Sequence, residues 1–322
     1  MKCLIAGGAG FIGSHLTERL VSLGADVTVV DNLITGDTKN LRDISSKVDF
    51  YESDISDFRT DKEFDAVFHL ATVANTYDYM RCAHDVLRSS SFGTANLLEI
   101  AERSSSRFYY FSSSEIYGHR CAEQNVSVSE DSFSEVALLN DRSPYFVGKM
   151  FSEEYVRTFC EMKGLEYLII RPFNIYGTKM DPKSECGRVI TNFFKQASSG
   201  QPLTIYGDGG QTRSFCHVDD LIDALILLDG TRPWKYNVVN IGNPETISIN
   251  NLAERISSLL NKELKKELRP SVPFEPKHRK PDLKRLTEWL EWKPRINITE
   301  GLNDIFLKEI AVKSEKNIRG RQ

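Results

Sequence analysis

The run Gly7-Gly8-Ala9-Gly10-Phe11-Ile12-Gly13 constrains this chain more than any other stretch. Before it, Cys3–Ala6 reads as a short buried strand. After it, Phe11–Leu23 reads as a helix. A glycine turn between a strand and a helix is a mould for a diphosphate. Gly7 permits the tight turn, Gly10 lets backbone approach the phosphates, and Gly13 allows close helix–strand packing. Phe11 and Ile12 lie in the first helical turn, where N–H groups and the helix dipole attract anions. Such a turn alone can be only a turn. Here the second strand, Val27–Val30, is followed by Asp31, about 20 residues past the turn, where a carboxylate can accept from both ribose hydroxyls. That charge repels a 2′-phosphate, so the reading is NAD rather than NADP.

Short apolar runs then alternate with amphipathic segments. Ala66–Leu70, Phe108–Ser112 and Tyr167–Arg171 read as strands. Ser91–Arg103 and Pro144–Lys163 read as helices. Alternation of this kind builds right-handed crossovers and a parallel sheet. The expected fold is α/β, a Rossmann-type doubly wound parallel sheet with a smaller α/β substrate-binding domain. Residues 1–174 are assigned to the first domain, with 215–240 returning to it, and 175–322 to the second. Helices are expected there at Ser248–Leu260, Asp282–Leu290 and Thr299–Val312.

The bulk properties exclude several classes. A net charge of −4 offers nothing to nucleic acid or an anionic membrane. No stretch approaches the roughly 18 apolar residues of a membrane span. The N-terminus lacks a signal-peptide pattern. Cys3, Cys82, Cys121, Cys160, Cys186 and Cys216 are scattered without a metal-ligand spacing, as free thiols in a cytoplasmic protein are. No metal site is expected.

Tyr145 and Lys149 lie four apart near a helix start and so share a face. A tyrosine with a pKa of about 10 is a poor base at neutral pH. A neighbouring ammonium favours the phenolate, and the same lysine can hold a cofactor ribose. The spacing alone is common. Its company, the glycine turn and the run Ser112-Ser113-Ser114, gives it weight.

In its GxxGxxG spacing, and in the order of its later motifs, the chain resembles the extended short-chain dehydrogenase/reductase family over nearly its full length. Asp54-Ile55 matches that family's adenine-contacting pair, and His69-Leu70-Ala71 its third-strand end. Tyr145-xxx-Lys149 and Arg171-Pro172-Phe173-Asn174 follow in the family's order. The resemblance implies tightly bound NAD, held by Gly7, Gly10, Phe11, Ile12, Gly13, Asp31, Asn32, Thr35, Gly36, Asp54, Ile55, Leu70, Ala71 and Lys149. It implies Tyr145 as base toward a sugar hydroxyl, with Ser113 bonded to the same hydroxyl. It also implies a homodimer, for which helices Phe92–Arg103 and Met150–Lys163 are available. One departure is Ser90, where the family usually has Asn.

Within the family, 4,6-dehydratases carry Asp-Glu after the position of Ser113. This chain has Ser114-Glu115, so dehydration is disfavoured. The segment Ser112–Gly118 is similar to that of UDP-glucuronate decarboxylases, as are Gly187-Arg188-Val189, Pro202–Gly207, Gln211–Phe215, Ile241–Glu245 and Arg279-Lys280-Pro281-Asp282. The resemblance implies a UDP-sugar or UDP-uronate substrate contacted by Ser114, Asn174, Arg188, Tyr206, Arg213 and Arg279, with Arg279 at the sugar carboxylate. Glu115 is the expected acid near C5. A C4-oxidised uronate is a β-keto acid and loses CO₂ readily. A 4-epimerase on a UDP-hexose or UDP-uronate is the alternative reading. A dinucleotide-binding sensor is remote, because both Tyr145 and Lys149 are present.

Overall fold

The structure is a computed structural model that describes residues 1–74, 81–118, 126–134, 136, 138–180, 188–271 and 276–311. Cys121, Cys186, Gly187 and Val312, all named above, lie outside the described residues.

The chain divides into two compact units. The first comprises Met1–Ile116, Val136–Pro172 and Ile222–Ile241. Its centre is a seven-stranded sheet, ordered from edge to edge Val238–Ile241, Tyr167–Pro172, Arg107–Phe111, Ala66–His69, Lys2–Ala6, Asp26–Asp31 and Val48–Glu52. Every neighbouring pair is parallel. Helices cover the sheet, so its inner strands are buried on both sides and read as continuous apolar runs. Cys3, Leu4, Ile5 and Ala6 are fully buried, as are Phe108, Tyr109 and Tyr110. Leu4, Val30, Val67, Leu97, Phe108 and Ile169 share one core cluster.

The strand order reverses at Lys2–Ala6, which is flanked by Asp26–Asp31 on one side and Ala66–His69 on the other. In sheets of this kind the crevice beyond the strand ends at the reversal is where ligands sit. The glycine turn leaves that point.

Two sheet strands escape a reading by apolar runs. Val48–Glu52 is an edge strand, with Asp49, Tyr51 and Glu52 exposed. Val238–Ile241 is the opposite edge and is only four residues long. The helix expected at Ser91–Arg103 also differs in detail. Ser89–Gly93 forms a wider π-helical turn, and the α-helix proper is Thr94–Ser104.

The second unit comprises Tyr117–Glu135, Phe173–Leu221 and Gly242–Gln322. Its strands pair in twos, including Thr212–Arg213 with Ile247–Ser248 and Leu203–Tyr206 with Lys266–Arg269. Helix Val189–Ser198 buries Ile190, Phe193 and Phe194, and Ile249–Leu259 buries Leu252 and Ile256. Asn297 caps Ile298–Ile305 reciprocally with Glu300.

Candidate active site

Gly7 takes φ +82°, and a Cβ there would lie 2.7 Å from the Ala71 nitrogen. At Gly13 a Cβ would lie 2.1 Å from the Gly7 oxygen, so the helix could not start where it does. Gly8, not singled out by the motif, is equally constrained: a Cβ there would meet Val29 at 2.7 Å. Helix Phe11–Ser22 begins at Gly10 with no side-chain cap. An uncapped N-terminus leaves backbone donors for an anion.

Asp31 is the last residue of its strand and is 7% exposed. Its carboxylate accepts from the Ala9 N–H at 3.0 Å and the Leu33 N–H at 2.9 Å. Burial raises its pKa, against the opposing pull of the Leu33, Ala9 and Gly10 N–H groups. A Cβ at Gly36 would lie 2.8 Å from the Asp31 carboxylate, so a side chain there would displace it. Thr35 is exposed beside it.

Asn32 donates to Asp54 at 3.2 Å. Burial pushes Asp54 up, but hydrogen bonds from Ser56 and Asn32 and the charge of Arg88 outweigh it and hold the carboxyl low. Arg88 was not foreseen from the sequence. Ile55, matched to an adenine contact, has its side chain in the core, where a Cβ at Gly93 would meet it at 2.4 Å. The Leu70 N–H bonds Ala6 at 2.9 Å, tying the third-strand end to the glycine turn.

These features fit NAD. The turn excludes side chains, the helix end lacks a cap, and a buried carboxylate stands at the second strand end. The hydroxyls of Thr72 and Ser112 are buried and find no hydrogen-bond partner among the described residues. Each follows a sheet strand end.

Tyr145 and Lys149 occupy the first two turns of helix Ser143–Lys163, whose start suits Pro144. Tyr145 is 6% exposed and packs with Val73 and Val86. Lys149 is 2% exposed. Its ammonium donates to the Phe111 carbonyl at 2.5 Å and stands 4.9 Å from the Tyr110 ring centre. Burial lowers its pKa to about 7, with Glu153 opposing. Ser113 and Ser114 are buried at the end of strand Arg107–Phe111. The Ser113 hydroxyl accepts from the Glu115 N–H at 3.1 Å. Glu115 pairs with Arg142 at 3.3 Å, and Arg142 is a residue that sequence reasoning missed. The Tyr145 N–H bonds the Arg142 carbonyl at 3.3 Å.

Ser90 lies in the π-helical turn and is 4% exposed. Its carbonyl accepts from Ser152 at 2.7 Å, and Ser152 also bonds the Gly148 carbonyl at 2.9 Å. A Cβ at Gly148 would lie 2.6 Å from the Ser90 hydroxyl. The π turn is thus fastened to the helix segment beside Lys149. His69 completes this buried set. It lies 3.0 Å from Thr94, and burial together with the Lys149 charge pushes its pKa down to about 3, so it is neutral.

In the second unit, Arg213 donates to the Thr212 carbonyl at 2.9 Å and the Lys277 carbonyl at 3.4 Å. The Thr212 N–H also bonds Lys277, and the Thr212 hydroxyl meets His278 at 2.9 Å. These contacts draw the Lys277–Arg279 segment alongside Thr212–Arg213. Arg213 and Arg279 are each 8% exposed. Asn174 sits at φ +41° and donates to the Ser214 carbonyl at 3.2 Å. Arg188 opens helix Val189–Ser198, and Tyr206 ends strand Leu203–Tyr206. The described residues contain no cluster of three metal-ligating side chains. No helix among them is long and apolar enough to cross a membrane.

The profile of the NAD dependent epimerase/dehydratase family matches residues 3–242. The chain belongs to this family. Among curated members, UDP-glucuronic acid decarboxylase 1 of Danio rerio is 35% identical over 94% of this chain and 71% of its own. Solved members are similar as well. UDP-glucuronic acid 4-epimerase from Bacillus cereus, in complex with UDP-glucuronic acid and NAD, has a TM-score of 0.84 at 29% identity, over 95% of this chain and 98% of its own. UDP-N-acetylglucosamine 4-epimerase from Methanobrevibacter ruminantium has a TM-score of 0.87 at 28% identity, over 97% and 98%. As an NAD-dependent epimerase/dehydratase family member, the chain is an NAD-dependent enzyme of the extended short-chain dehydrogenase/reductase type.

Proposed function

We propose that this enzyme is a UDP-uronate decarboxylase, acting on UDP-glucuronate or a close relative. The observation that carries this reading is Arg279. A guanidinium shielded from water is a strong fork for a carboxylate, and Arg279 lies on backbone tied to that of a second shielded arginine, Arg213. The similarity to curated decarboxylases over 94% of the chain supports it.

Asp31 holds the adenine ribose, the turn Gly7–Gly13 the diphosphate, and Lys149 the second ribose. Asn32, Thr35, Gly36, Asp54 and the backbone of Ile55 line the adenosine end, with Leu70 and Ala71 nearer the diphosphate. When bound, NAD would supply reversible hydride exchange with sugar C4. Tyr145 takes the O4 proton, with Lys149 favouring its phenolate and Ser113 bonded to the same oxygen. The resulting 4-keto acid loses CO₂, and the electron pair of the C5–C6 bond becomes an enolate. Ser113 and Tyr145 hold the enolate oxygen. Glu115 serves the protonation of C5. Tyr145 then returns its proton to O4 as the ketone is reduced. Arg188 and Arg213 bind the diphosphate and nucleotide, aided by Tyr206, Asn174 and Ser114.

We propose further that the active form is a cytoplasmic homodimer. Leu87, Phe92 and Phe151 are exposed on or beside the two helices that a second copy would cover. The similarity to solved 4-epimerases keeps 4-epimerisation as the second reading, since Tyr145 would serve the same first step. Product masses across a panel of UDP-hexoses and UDP-uronates separate the two. A UDP-pentose from a uronate supports decarboxylation, and isomers alone refute it.

A further inference from the structure

Glu115 and Arg142 are 27 residues apart in sequence, yet the structure joins them. Their side chains are 25% and 15% exposed, so water screens the pair only in part. Arg142 is fixed at its backbone as well. Its N–H bonds the Asn140 side chain at 2.9 Å, and its carbonyl receives the Tyr145 N–H. The Glu115 N–H in turn bonds the Ser113 hydroxyl. Ser113, Glu115, Arg142 and Tyr145 are therefore linked in one chain of contacts, with Arg142 as the joint between the turn and the helix.

We propose that Arg142 is a positioning residue that holds Glu115 as an aimed carboxylate, so that Glu115 relays a solvent proton to C5 rather than carrying a resident one. The proposal rests on the decarboxylase reading. A guanidinium is always charged. Protonating Glu115 at rest would remove a counter-charge from a half-buried cation, which is costly. Glu115 then begins the cycle as a carboxylate and acts as the acid only at the moment C5 is protonated. The proton count supports this. The uronate enters as an anion, CO₂ leaves without a proton, and the O4 proton shuttles through Tyr145 and returns. One further proton is needed at C5, and solvent must supply it. When the C5–C6 bond breaks, C5 gains carbanion character. Glu115 takes a proton from water, passes it to C5 and is again the carboxylate that Arg142 holds, while the hydroxide left in solvent is taken up by the released CO₂ as bicarbonate.

The test uses the holoenzyme with UDP-glucuronate and the variants R142K, R142Q, E115Q and R142Q/E115Q. Reduced nicotinamide, CO₂ and the ratio of 4-keto-pentose to pentose are followed together. R142Q and E115Q should each slow pentose formation more than cofactor reduction and CO₂ release, by roughly tenfold or more, so that the enolate accumulates and is recovered as 4-keto-pentose on acid quenching. The double variant should be no worse than E115Q, and R142K should recover part of the loss. Additive losses, or an R142Q defect that falls equally on cofactor reduction, would overturn the proposal and leave Arg142 as a prop for Tyr145. Wild-type enzyme that releases no CO₂ would count against the decarboxylase reading itself. In that case no proton is delivered to C5, and the relay falls together with that reading.

Discussion

The Lys149 ammonium is hydrogen-bonded to the Phe111 carbonyl, bringing the catalytic helix to the end of strand Arg107–Phe111. The bond orients the amine but does not repay its burial. The folded chain holds the Lys149 pKa at about 7, against an ordinary 10.5. Between those values the unfolded chain binds a proton that the folded chain does not, so stability rises with pH through that window. Below about pH 7 the cost is present in full, and above the ordinary value it is gone. In cofactor-free protein at neutral pH, Lys149→Met should therefore raise Tm, by roughly 2–4 °C for each kcal/mol recovered. The gain should shrink as pH rises toward 10, while activity is lost. Thermal scans across pH check this, and a variant less stable than wild type at pH 7 contradicts it.

Asp31 joins the glycine turn to the ribose position. Asp31→Ala removes a carboxylate that accepts two backbone N–H groups and is placed to accept ribose hydroxyls. NAD binding should weaken roughly 10–100-fold, the scale of hydrogen bonds to a charged group. Discrimination against NADP should narrow, because the repelling charge is gone. Titration calorimetry with both dinucleotides measures each effect.

Gly148 and Ser90 form a matched pair. Gly148→Ala would drive a methyl group onto the Ser90 hydroxyl, and overpacking of this kind costs about 1–3 kcal/mol. Adding Ser90→Ala should recover part of that loss. Denaturant titrations of the two single variants and the double decide it. Strictly additive losses would show that the contact is not what limits position 148.

Tyr145→Phe keeps the ring among Val73 and Val86 and removes only the hydroxyl. Turnover should fall about 10²–10⁴-fold, as for loss of a general base. Bound NAD and Tm should stay near wild type. A variant with unaltered turnover would move the base elsewhere.

The sequence made the first unit's centre legible because its strands are buried on both faces and its turn needs glycine for steric reasons. The edge strand Val48–Glu52 escaped because solvent on its outer side leaves no apolar run to see. Gly8 escaped because its constraint comes from Val29, a residue on another strand. Tyr145, Lys149 and Ser113 were visible as types at a fixed spacing. Arg142 was not, because what matters is its pairing with Glu115, which only the meeting of a strand end with a helix start creates. Ser90 was visible as a departure from its family, but its contact with Gly148 appeared only once the π-helical turn was in place.

The central claim is that a uronate loses its carboxyl group at this site. The most direct measurement is release of labelled CO₂ from UDP-glucuronate labelled at the carboxyl carbon, with wild type and Arg279→Met side by side. Decarboxylation predicts labelled CO₂ in step with UDP-pentose from the wild type, and a large loss of both in the variant. Turnover that leaves all of the label in the nucleotide sugar would contradict it.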